Sequence, residues 1–289
     1  MNKLVIFAAL GLFLIGSIFL SMAAQGNVVD FRDYLKVDIV GQRDFYFDVA
    51  SGKIEGYSSI NKFGNNPTAS SGDDVWGGGG VYAFYPTTGQ SMEIVSTDAD
   101  DTDGGTGART VMVFGLDENW EEVSETVTLD GTTPVNLTNT YIRMFRGIVL
   151  TAGTTETNEG NLIARIYSGG TIGMYINTND GQTQHAIYTI PAGKSAYFIK
   201  GYVGMADDDK NGEVTLFQWQ SRPNNGVTGA WAVKGEVGLN NIGSSYWIYE
   251  YGVPSGTIPP KTDIRIRVIS STATLGVVGG FDLVLVDNE

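Results

Sequence analysis

The chain of 289 residues contains no cysteine, so disulfides, thiolate metal centres and cysteine nucleophiles are all excluded. It has one histidine, His185, and a single His without Cys cannot assemble a usual zinc site. Basic residues are scarce, 18 against 32 acidic, giving a formal charge of −14 that repels phosphate backbones and argues against nucleic acid as a direct partner. Proline is sparse at 8 residues, while glycine is abundant at 39, a balance that indicates many turns. After Val40 no segment of about ten residues has helical periodicity, which disfavours βαβ folds.

Long apolar runs are also absent, with one exception. MNKLVIFAALGLFLIGSIFLSMAAQGNVVD carries no charge between Lys3 and Asp30 and is nearly continuously apolar over residues 4–24. About 20 such residues span a bilayer. The alternative is a secretory signal peptide, with Lys3 as its n-region and small residues near Ala23 and Ala24 for cleavage. The run exceeds the roughly 7 to 15 residues of an ordinary signal core, so a retained transmembrane anchor is the favoured expectation. Residues 1–26 are assigned to it and residues 27–42 to a neck.

From Arg43 onward, short runs rich in Val, Ile, Thr, Tyr and Phe alternate with Gly, Asn, Asp and Pro, the pattern of β-strands in a sandwich or barrel. TDIRIRVIS (262–270) is the clearest: Ile264, Ile266 and Val268 alternate with Asp263, Arg265 and Arg267, predicting one face in a core and the other in water. About fifteen strands are too many for one sandwich. The expected fold is therefore all-β, two tandem antiparallel β-sandwiches of jelly-roll type, 43–152 and 153–289, divided near the polar stretch TAGTTETNEGN (151–161).

Several fragments suggest chemistry. AGKSAY (192–197) holds the Gly-Lys-Ser of a phosphate loop, but Tyr188 stands where the first glycine is required and the flanks read as strands. His185 begins a strand, and no G-x-S-x-G elbow accompanies it. The chain is therefore expected not to be an enzyme, and no cofactor is expected. Two acidic loops, DADDTDGG (98–105) and DDDKNG (207–212), lie between predicted strands, where carboxylates can gather around Ca²⁺. Asp207, Asp209 and Asn211 match the first half of an EF-hand loop. Position 12 is Gln218, the flanks are strands, and Asn211-Gly212 is a preferred hairpin turn, so a hairpin tip is favoured over a calcium site. Most tryptophans are read as core, but Trp76 and Trp231 sit in glycine-rich loops and are expected to form an interface.

Five phrases carry a family resemblance: GYSSINKFGNNP, GARTVMVFGLDENWEEVSETVTLDGTTPV followed by YIRMFRG, AIYTIPAGKSAYF, PPKTDIRIRV and the terminal GGFDLVLV. With these, the chain from about Gly56 to its end resembles virion-associated structural proteins of marine bacteriophages. The resemblance implies a structural role in the virion, with other capsid subunits as partners, a homo-oligomeric state, and no catalytic site. The hydrophobic N-terminus departs from that pattern and points to a phage with a lipid membrane. The protein would then sit in the capsid or inner viral membrane, and in the host membrane before assembly. A membrane-anchored or secreted carbohydrate-binding adhesin is the alternative that composition allows.

Overall fold

The computed structural model describes residues 44–205, 213–224, 229–240, 246–250 and 256–288. The chain divides into two compact units, residues 1–51 and 52–289. In the first, the described residues form a single helix, α1 (Phe45–Ala50), whose N-cap Asp44 accepts a hydrogen bond from the Tyr46 amide at 3.0 Å. The expected anchor over residues 4–24 and the neck over 27–42 lie outside the described residues. Among those described, no helix is long and apolar enough to cross a membrane.

The second unit is built of antiparallel strands. β1 (Tyr57–Ala69) comes first, followed by β2 (Gln90–Ser96), β3 (Ala108–Leu116), β4 (Glu122–Thr128), β5 (Val135–Tyr141), β6 (Arg143–Ala152), β7 (Leu162–Ile166) and β8 (Ile172–Ile176). Strands β2 to β8 make two sheets, ordered β5-β2-β7-β8 and β4-β3-β6. Their inner faces share one core, with Met92 and Ile94 from β2, Val111 and Val113 from β3, Leu162 from β7 and Met174 from β8. The period-2 alternation of these residues gives each sheet one apolar face, and the two faces close on each other.

The remaining strands are β9 (Ile187–Thr189), β10 (Lys194–Met205), β11 (Val214–Pro223), β12 (Ala232–Asn240), β13 (Tyr246–Glu250), β14 (Thr262–Ser271) and β15 (Leu275–Asp287). With β1 they form a second sandwich, ordered β1-β15-β10-β13 and β12-β11-β14-β9. Phe198, Phe217, Ile264, Ile266 and Phe281 lie in its core. That core continues into the other sandwich through Leu116, Ile142 and Phe145.

The sheets do not divide at the expected boundary of 152/153. β7 and β8 follow it in the chain yet pair with β2 and each other, while β1 precedes it and pairs with β15. The first sandwich is thus inserted between the first and second strands of the other. The physical reason lies at β15, which pairs with β10 on one side and with β1 on the other. Polar Thr151–Asn161 does form a connection, but inside the first sandwich, where buried Asp101 accepts amides from Glu159 at 2.9 Å and Gly160 at 2.8 Å.

NKFGNNP (61–67), rich in turn-forming residues, is the middle of β1. Its glycine is required by close approach: a Cβ on Gly64 would lie 2.3 Å from the Val75 carbonyl and 2.5 Å from the Ala186 amide. Pro67 falls where the β1–β15 register shifts, a place where its missing N–H breaks no ladder bond.

Candidate functional site

The charged face of β14 is not in water. Asp263 and Arg265 are buried, because residues of the inserted sandwich and of neighbouring strands cover that face. Arg143, at the start of β6, reaches Asp263 with its Nε at 2.7 Å from Oδ1, and Arg222 near the end of β11 brings Nη2 to 2.7 Å from Oδ2. Thr189 Oγ1 donates to Oδ1 at 2.8 Å and Asn224 Nδ2 to Oδ2 at 2.9 Å. Burial alone would push the Asp263 carboxyl up; the Arg143 charge and the hydrogen bonds from Arg143 and Arg222 outweigh it and hold it below its ordinary value.

A second pair adjoins the first. Arg265 Nη1 lies 3.3 Å from Asp74 Oδ1, and Arg265 Nε donates to Gln220 Oε1 at 3.0 Å. Asp74 Oδ2 accepts the Tyr82 amide at 2.9 Å, whereas Oδ1 has the ion-pair contact without a hydrogen bond. Burial dominates here and raises the Asp74 carboxyl to about 6 against the opposing charges of Arg265 and Arg267. Aromatic rings close over the guanidinium groups. Trp231 is centred 3.9 Å from Arg265 and 4.6 Å from Arg222, Tyr85 lies 4.4 Å from Arg222, and Trp120 lies 4.8 Å from Arg143.

This seam corrects two expectations. Trp231 is half-buried, with its ring stacked on two arginines of its own chain, so it is not a free surface anchor. Trp76 is buried at 4% exposure in the core, edge-on to Tyr82 and to His185. The glycines around it, read as a flexible loop, serve to seat it. A Cβ on Gly78 would meet the Trp76 ring at 2.4 Å, and the indole Nε1 donates to the Gly80 carbonyl at 3.0 Å.

His185 is fully buried, its pKa lowered to about 3 by burial and by the Lys62 charge. Its Nε2 accepts the Tyr175 amide at 3.3 Å. No hydroxyl or carboxylate hydrogen-bonds to it among the described residues, and nothing there assembles a nucleophilic triad. Asp207, Asp209 and Asn211 lie outside the described residues. In the other acidic loop Asp98 and Asp100 approach Glu159, with oxygen atoms within 4.8 Å of one another, but Glu159 already accepts from Thr106 Oγ1 and the geometry names no ion. The buried arginines were missed because alternation identifies which residues share a strand face, not what covers it. The available signal was the mixed sign of Asp263, Arg265 and Arg267 on one face.

No protein-family model matches the chain, and no curated protein matches it in sequence. Among solved structures it aligns with that of infectious bursal disease virus Gt strain at 10% identity, over 85% of this chain and 88% of that one, with a TM-score of 0.12. It also aligns with the VP2 subviral particle of infectious bursal disease virus at 11% identity, over 80% of this chain and 71% of that one, with a TM-score of 0.16. At such scores these alignments carry no argument, and nothing in them links the chain to bacteriophages.

Proposed function

We propose that the protein is a structural component of a bacteriophage virion, in the capsid or associated with it and anchored to a lipid membrane through residues 4–24. The observation that carries this reading is the strand order of the C-terminal sandwich. Counted in chain order from β1 and then β9 to β15, its strands pair first with eighth, second with seventh, third with sixth and fourth with fifth. That is one long antiparallel ribbon folded at its middle. It is rolled so that the eighth also meets the third and the fourth meets the seventh. A ribbon rolled in this way is a jelly roll, an architecture of viral capsid domains and of lectins.

The support is architectural and does not come from a catalytic site. The buried charges at Asp263 and Asp74 hold one another and join the two sandwiches, giving a stiff block suited to tiling or bracing a shell. The sequence phrases resembling marine phage virion proteins favour the shell over the lectin. Such a component must bury surface against copies of itself or of another capsid subunit. The purified full-length chain in detergent, examined by sedimentation velocity, is expected to form discrete oligomers and to co-sediment with particles from the same source. A monomer at every concentration, absent from purified particles, overturns the reading.

A further inference from the structure

Along one flank of the C-terminal sandwich both sheets end, one at β13 and the other at β12. Between these edges lies a cleft of about 230 Å³, lined by Gly201, Trp219, Lys234, Glu236, Trp247 and Tyr249 among others. Trp247 and Tyr249 are two apart on β13 and share a face, stacked with ring centres 5.4 Å apart and planes within 9°. Trp219 approaches Trp247 at 5.5 Å. Tyr249 is 43% exposed, so this cluster opens to solvent instead of ending in sealed core.

Glycines make the room. Gly201 stands opposite Tyr249 in the β10–β13 ladder, and Gly235 opposite Trp219 in the β11–β12 ladder. A Cβ on Gly201 would sit 2.9 Å from Trp219 Nε1, so the indole lies directly against that strand. Its N–H is buried and has no hydrogen-bond acceptor among the described residues. Buried donors are rarely left in that state. At the rim, exposed Lys234 is a donor, and Glu236 is an acceptor that Gln218 Nε2 already contacts.

The combination selects a chemical class. Stacked rings favour an apolar face or a cation; an ammonium and a carboxylate at the rim together favour a ligand that both accepts and donates hydrogen bonds. An acyl chain does not use the polar groups. A nucleotide brings phosphates to a chain whose formal charge is −14. A pyranose ring has an apolar C–H face and a rim of hydroxyls that donate and accept. We propose that this cleft binds a neutral saccharide, with one ring seated on Trp247 and Tyr249 and its hydroxyls turned towards Lys234 and Glu236. The cleft is smaller than the roughly 300 Å³ at which drug-sized pockets begin, which fits a single terminal ring. The proposal does not depend on the virion role, because a protein that never assembles still has the cleft.

The test titrates the full-length protein with methyl glycosides of glucose, galactose, mannose and N-acetylglucosamine, followed by tryptophan fluorescence and saturation-transfer NMR. Tetramethylammonium is the probe for the rival cation. Saturable binding of at least one glycoside in the millimolar range is expected, weakened about tenfold in Tyr249→Ala, the loss set by one aromatic contact of about 1.4 kcal/mol. Trp247→Ala should act likewise but touches the core. Gly235→Val, which narrows the cleft without removing a ring, is therefore the second variant, with melting curves verifying both folds. No saturable response to any glycoside overturns the proposal. So does binding unchanged in both Tyr249→Ala and Gly235→Val, or a response to tetramethylammonium alone.

Discussion

Asp263 holds two arginines from two different parts of the fold, Arg143 on β6 and Arg222 on β11, and its carboxylate is fully buried. Replacing it by Asn keeps the shape and removes the charge, leaving two guanidinium groups facing an amide in a low-dielectric seam. Breaking a buried pair in this way costs about 3 to 5 kcal/mol. Asp263→Asn is therefore expected to lower unfolding free energy by that amount in urea titrations; a change below about 1 kcal/mol would mean that water reaches the seam. Lys62 gives a second prediction, through pH. Burial, then the Arg146 charge, lowers its pKa from 10.5 to about 7, while its ammonium donates to the Phe145 carbonyl. Between those values the unfolded chain binds more protons than the folded one, so Lys62 makes stability rise with pH from about 7 upwards. Its contribution is complete above 10.5 and is lost as pH falls through about 7. The slope is at most about 1.4 kcal/mol per pH unit. Lys62→Met should flatten the stability curve across that alkaline window, read by chemical denaturation below the range where the buried tyrosines titrate. An unchanged slope would place the effect on another group.

At the scale of the element, β1 matters most for how the chain can be cut. It pairs with β15 from Tyr57–Val286 to Ala69–Leu275, and it reaches that partner across the whole inserted sandwich. A fragment of residues 153–289 lacks β1 and carries β7 and β8 without β2, leaving β15 an open edge and two strands with no sheet to join. That fragment is expected to be unfolded or aggregated by circular dichroism and gel filtration, while residues 52–289 melt cooperatively. A folded, monomeric 153–289 would restore the tandem division. The same strand shows how far the sequence could be read. Runs such as TVMVFG and GFDLVLV announce β3 and β15 through β-branched and aromatic residues. NKFGNNP has turn residues and becomes strand because β15 offers a long partner, a tertiary demand that local propensity does not carry. β14 was half legible: Ile264, Ile266 and Val268 face the core as their spacing requires, but the cover over Asp263 and Arg265 comes from residues distant in the chain, among them Arg143, 120 positions from Asp263, and Asp74, 191 from Arg265. Trp76 misled for a local reason, since the glycines that resemble a flexible loop are what allow the indole to lie flat on its own backbone. The aromatic cleft was illegible for a similar reason: Trp219 and Trp247 lie on strands of different sheets.

For the whole molecule, charge sets a condition on assembly. The formal charge is −14 and the isoelectric point about 4.4, so copies brought together at neutral pH repel one another. Three of its basic groups, Arg143, Arg222 and Arg265, are held inside the fold by internal carboxylates and do not offset this at the surface. If the chain assembles as proposed, apolar surface is the natural contact, and the flank of the second sandwich exposes Val233 at 53%, Tyr246 at 50% and Ile248 at 45%. Burial of such surface is insensitive to moderate salt, whereas the opposing repulsion is screened over a Debye length that falls from roughly 30 Å at 0.01 M to about 10 Å at 0.1 M. Self-association of the full-length protein should therefore strengthen as sodium chloride rises across that range, and again as pH falls towards the isoelectric point. Sedimentation velocity at fixed protein concentration reads both. Weakening with added salt would show instead that neighbouring subunits meet through opposite charges, which would move the contact from the apolar flank to the acidic loops and a basic partner.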